Sequence, residues 1–155
     1  MPFILKFFWA LAVLVGIVNY AIIRRRVTKL VDEKQELADG ADQILLGYLL
    51  FNTVPYALLA LAQFAGGYLH PFFIFTQSLT EPFVLVSVAV LIVWWILLAY
   101  WIYWKDGARK LVAYELVQAG NEVGVKLVLG LALVGGVAGL LFGRMFFPDI
   151  TWLFK

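Results

Sequence analysis

The chain has no cysteine and one histidine, and both shortages narrow what it can do. Without thiols there are no disulfides, thiolate metal sites or cysteine nucleophiles. One imidazole, His70, cannot build a histidine-rich metal cage or a bis-histidine haem site from a single copy. Charge is scarce as well: Asp, Glu, Lys and Arg together make up 14% of 155 residues. No Asp, Glu, Arg or His falls in the middle of a long apolar run, which counts against proton relays and most ion-coupled transport. Also missing are G-x-S-x-G, a glycine-rich phosphate loop and H-E-x-x-H. The net charge of +2 is too small and too local for nucleic-acid binding. The acidic residues Asp32, Glu33, Glu36 and Asp39 read as solvated charge. No catalytic residue, cofactor or metal is expected.

What the chain does have is apolar length. Hydrophobic residues make up 64% of it, more than a soluble domain of this size can hide. Four runs stand out: Phe3 to Ile23, Ile44 to Gly67, Phe83 to Trp104 and Val123 to Phe142. Each is about 20 residues or more, enough for a helix to cross a hydrocarbon core of about 30 Å. The expected fold is all-α, one polytopic membrane domain of four transmembrane helices in a bundle. The first run is too long for the apolar part of an ordinary signal peptide and no A-x-A-like site follows, so it reads as a retained anchor.

Basic residues set the expected threading. Arg24, Arg25, Arg26, Lys29 and Lys34 fall in the connection 24–43, and Lys105, Arg109 and Lys110 in 105–122. The connection between them, Tyr68 to Pro82, has none. Connections 24–43 and 105–122 are therefore expected in the cytoplasm, with both termini outside a plasma or inner membrane.

Within this frame, several local patterns suggest contacts. Ala12, Gly16 and Asn19 share a face of the first helix, where small residues admit a neighbouring backbone and the asparagine can bond across. The helical period continues past the arginines, predicting an extension that stops near Gly40, with Asp42 capping the second helix. In that helix Tyr48, Asn52, Tyr56 and Gln63 form a strip roughly 80° wide at about 100° per residue. The strip reads as an interhelical seam or, more sharply, as a ligand or quinone-head pocket. Pro55 removes the backbone bond to the Phe51 carbonyl, so a kink is expected there. Ser78 or Thr80 can cap the third helix, and His70 and Glu81 share the outer surface. Trp94 and Trp95 lie too deep for an interfacial belt and read as packing surface. The third connection offers a short helix from Ala108 to Ala119 whose scattered apolar residues call for contact with the first connection. Gly120 and Asn121 then supply a stop and a new cap. Last, Ala132, Gly135, Gly139 and Gly143 make a ridge of small residues on the fourth helix, the material of tight helix pairs.

In length, threading and the proline within the second helix, the layout resembles that of the MAPEG family, small four-helix membrane proteins of glutathione and eicosanoid metabolism. The family pattern implies an arginine, an asparagine and a glutamate ahead of that proline. Leu45, Leu49 and Asn52 stand at those positions here, so no activity carries over.

The preferred expectation is a non-enzymatic integral membrane subunit, a scaffold, accessory or assembly component, with membrane lipid and other subunits or copies of itself as partners. An alternative is an oligomeric small channel or permeation unit lined by the second-helix strip. A third is a lipid- or quinone-acting membrane enzyme using His70 and Glu81.

Overall fold

The computed structural model describes residues 6–117 and 120–146. Among them the chain is all-helical: α1 (Phe8–Glu33), a 3₁₀ turn (Gln35–Leu37), α2 (Ala38–Ala65), the single turn α3 (Phe73–Thr76), α4 (Pro82–Trp104), the short α5 (Gly107–Ala113) and α6 (Glu122–Phe146). Four of these, α1, α2, α4 and α6, are long and apolar enough to cross a membrane.

The long helices pack in chain order, α1 on α2, α2 on α4 and α4 on α6. At what we term the aromatic end, Leu59 and Ala62 of α2, Phe73 and Ile74 of α3, Val84 of α4 and Leu140 of α6 form one buried cluster, flanked by Trp9 of α1. At the basic end there are two. Val27, Ile44, Leu45 and Tyr114 form one, and Ile102, Ala108 and Val125 the other. Among the described residues, α2 buries Ile44, Leu45, Pro55, Leu59, Ala60, Ala62 and Gln63, whereas α1 buries only Gly16, Val27 and Leu30. The second helix is thus far more buried than the first, and α1 and α6 stand at the two ends of the row.

With 26 residues, α1 is about 39 Å long at 1.5 Å per residue and runs on through the arginines. It does not stop near Gly40. Lys34 leaves the helical region at φ −131°, ψ 81°, and Gly40 lies in the first turn of α2. Asp42 accordingly sits inside α2 and caps nothing. No glycine or proline marks the break. A tertiary contact holds it instead: the buried Tyr114 donates its hydroxyl to the Leu37 carbonyl at 2.7 Å. Gly40 is needed for that approach, because a Cβ there would run into the Tyr114 hydroxyl.

The third connection departs from expectation in a related way. Its helix ends at Ala113, and Ala119 lies outside the described residues. Asp106 adopts a left-handed φ of 55°, and Gly107 lets the chain turn back so tightly that a Cβ would stand 2.6 Å from the Trp101 ring. At α4 the cap is Glu81, with Pro82 in the first turn. Ser78 and Thr80 do not cap it; their hydroxyls bond each other at 2.8 Å. Asn121 does cap α6, its Oδ1 accepting from the Gly124 N–H at 2.7 Å. Lys126 turns back to Glu122 at 2.6 Å.

Candidate functional site

Three groups of residues were expected to matter, and the structure treats each differently. On α1, Gly16 meets α2 directly: a Cβ there would lie 2.7 Å from the Asn52 carbonyl oxygen and 3.0 Å from Thr53 Cγ2. Ala12 is half-buried on the same helix. Asn19 does not join this contact. It is exposed, and among the described residues its amide makes no hydrogen bond.

The polar strip of α2 divides in two. Asn52 donates Nδ2 to the Tyr48 carbonyl at 2.8 Å, and Thr53 donates to Leu49 at 2.7 Å, so both bonds stay within the helix. Such back-bonding to the preceding turn tends to bend a helix, here one turn from Pro55. Among the described residues Asn52 therefore contributes no side-chain bond across to another helix. Gln63 does cross. Only 1% exposed, it donates Nε2 to the Lys6 carbonyl at 3.0 Å and more weakly to the Tyr68 carbonyl at 3.5 Å. It ties the start of α1 to the end of α2. Tyr56 stacks on Trp9 with ring centroids 6.0 Å apart, and Trp9 donates its indole N–H to the Pro71 carbonyl at 3.1 Å. Tyr48 is half-buried.

Sequence reasoning missed the role of Trp94. Pro55 cannot donate to the carbonyl of Phe51, and a carbonyl left bare in an apolar setting is costly. Trp94 supplies the donor from α4, its Nε1 lying 3.4 Å from that oxygen and its ring 5.0 Å from the Phe51 ring. A deep tryptophan needs an acceptor and a deep proline frees one, so the pair was recoverable from sequence. Its neighbour Trp95 faces the other way and packs over Gly136 of α6, where a Cβ would lie 3.1 Å away. The two adjacent indoles wedge α4 between α2 and α6.

The small-residue ridge of α6 is also divided. Gly143 lies against Phe75 of α3, with 3.0 Å to a built Cβ. Among the described residues Gly135 and Gly139 have nothing within 4 Å, and Ala132 is exposed beside them. Around them Leu131 is 65% and Val134 68% exposed. Gly136, which the ridge did not include, packs inside the chain against Trp95.

At the basic end, Tyr114 and the exposed Lys34–Glu115 pair at 3.5 Å clasp the two charged connections together. Burial first, and Asp39 second, push the Tyr114 phenol above its usual value. At the aromatic end, burial holds the His70 imidazole below its ordinary value. No cluster of His, Cys, Asp and Glu able to hold a metal occurs among the described residues.

No protein-family model, curated protein or solved structure matches the chain. The likeness to the MAPEG family therefore rests on layout alone.

Proposed function

We propose that the protein is an integral membrane subunit without chemistry of its own, a scaffold, accessory or assembly component of a larger membrane complex. In this reading the four long helices insert as one bundle. Both termini lie outside a plasma or inner membrane, with the basic end in the cytoplasm. Extensive apolar exposure supports insertion, since Ile96, Leu61, Leu131 and Val134 are each more than 60% exposed and water would drive them to aggregate.

The observation that carries the partner role is the free face of α6. Gly135 and Gly139 leave open backbone on a helix whose inner side already packs on α4 through Gly136. Helices associate in membranes by such close approach rather than by apolar burial. The occupant is another membrane helix, from a different subunit or a second copy. A permeation path along α2 is less well supported, because Asn52 and Gln63 already donate to main-chain carbonyls.

Purification in mild detergent tests this directly. A stoichiometric partner chain or a homo-oligomer should accompany the protein. Gly135→Leu with Gly139→Leu should release it while the chain stays folded. A wild-type chain that purifies as a clean monomer, or a partner that stays bound to the Gly135→Leu/Gly139→Leu variant, would overturn the proposal.

A further inference from the structure

On α1, Tyr20, Arg24 and Thr28 form one column at i+4 spacing, and Ala21, Arg25 and Lys29 form the column beside it. These six residues line an open hollow of about 550 Å³. It runs from Tyr20, which packs beside the Val27 cluster, round to the exposed side of α1. Arg24, Arg25 and Lys29 are exposed, and the ion pairs among the described residues, Lys34–Glu115 and Lys126–Glu122, engage none of them. Three like charges share one furrow whose lining holds no carboxylate, with Asp32 and Glu33 one turn beyond Lys29.

Toward the aromatic end the same face turns apolar. Above Ala21 come Ile17, 49% exposed, and Leu14, 55% exposed. The small side chain of Ala21 leaves the passage between the two regions open. A free inorganic anion would use the cations and leave the apolar strip bare. A zwitterionic lipid would cover the strip but bring a cation of its own to the arginines. An amphiphile with a net negative headgroup uses both parts, and guanidinium forks match phosphate oxygens two at a time.

We propose that this furrow seats an anionic phospholipid, its phosphate on Arg24, Arg25 and Lys29 and an acyl chain along Ala21, Ile17 and Leu14. The proposal rests on the reading of the chain as membrane-embedded. The lipid would pin the depth of α1 and screen the arginines from one another.

Native mass spectrometry of the detergent-purified chain, titrated with phosphatidylglycerol or phosphatidylcholine, reads the site. The wild type should retain phosphatidylglycerol preferentially. R24Q/R25Q/K29Q should weaken that retention on the order of 100-fold, from roughly fivefold per basic residue. K105Q/R109Q/K110Q, which removes the same charge elsewhere, should leave it nearly unchanged, and millimolar inorganic phosphate should not displace the lipid. Equal losses in the two triple variants, unchanged retention in the first, or displacement by phosphate would each overturn the site. Extraction of membranes with alkaline carbonate separates the two levels of failure. A wild-type chain washed out of the membrane refutes the membrane reading, whereas one that stays there without lipid preference refutes only the site.

Discussion

The indole N–H of Trp94 donates to the carbonyl of Phe51, the carbonyl that Pro55 leaves without its helical donor. One side chain from α4 thus fills the gap beside a proline of α2 and satisfies the polar group exposed there.

This pairing predicts a coupled pair of substitutions. Trp94→Phe keeps most of the ring contact and removes the donor, at a cost of about 0.6 kcal/mol, typical of one interhelical bond in a membrane. In a Pro55→Ala background the residue at 55 can donate to Phe51 itself, and the same change should cost less. Unfolding in mixed detergent micelles measures both. An identical cost in the two backgrounds would separate Trp94 from the proline.

Gly16 and Gly135 should respond oppositely to a methyl group. Gly16→Ala pushes a Cβ onto the Asn52 carbonyl and should destabilise the chain by about 1–3 kcal/mol, as overpacking does. Gly135→Ala meets nothing within 4 Å and should be neutral, or stabilising by up to about 1 kcal/mol through helix propensity. The same unfolding assay, on the isolated chain, distinguishes them.

Gln63→Leu should loosen the start of α1. It removes the donor to the Lys6 and Tyr68 carbonyls and puts an apolar side chain in place of the buried amide. The expected loss is about 1 kcal/mol. Amide exchange should rise over Phe8 to Leu11 and stay unchanged at the Tyr114 clasp. Uniform exchange across both ends would mean that Gln63 supports the whole fold.

The Tyr114 clasp should open in alkali. Its phenol titrates higher in the folded chain than the ordinary value of about 10, so its stabilising effect is complete below that pH. The effect disappears as pH rises through the elevated folded value, when the hydroxyl can no longer donate to Leu37. Exchange at residues 34–40 should accelerate over that range in the wild type. Tyr114→Phe should show the faster exchange already at neutral pH, with about 1 kcal/mol lost and no further alkaline step from this group.

Spanning length was legible from the runs of apolar residues, because a helix that satisfies its own backbone needs only sustained hydrophobicity to suit a bilayer. The extension of α1 through the arginines was legible for the same local reason, a helical period that does not break at Ile23. Where that helix stops was not. Gly40 has the chemistry of a terminator, yet it serves a tyrosine that lies far along the sequence, and Lys34 breaks the helix without any local signal.

Which glycine touches which neighbour was equally out of reach. Gly135 and Gly136 are adjacent and chemically identical, and only the placement of Trp95 makes one a contact and leaves the other open. Composition and periodicity determined that four long apolar helices would form, since that depends on each segment's own residues. The direction each face turns was decided by tertiary packing, because a helix that is apolar all round carries no mark of its partner.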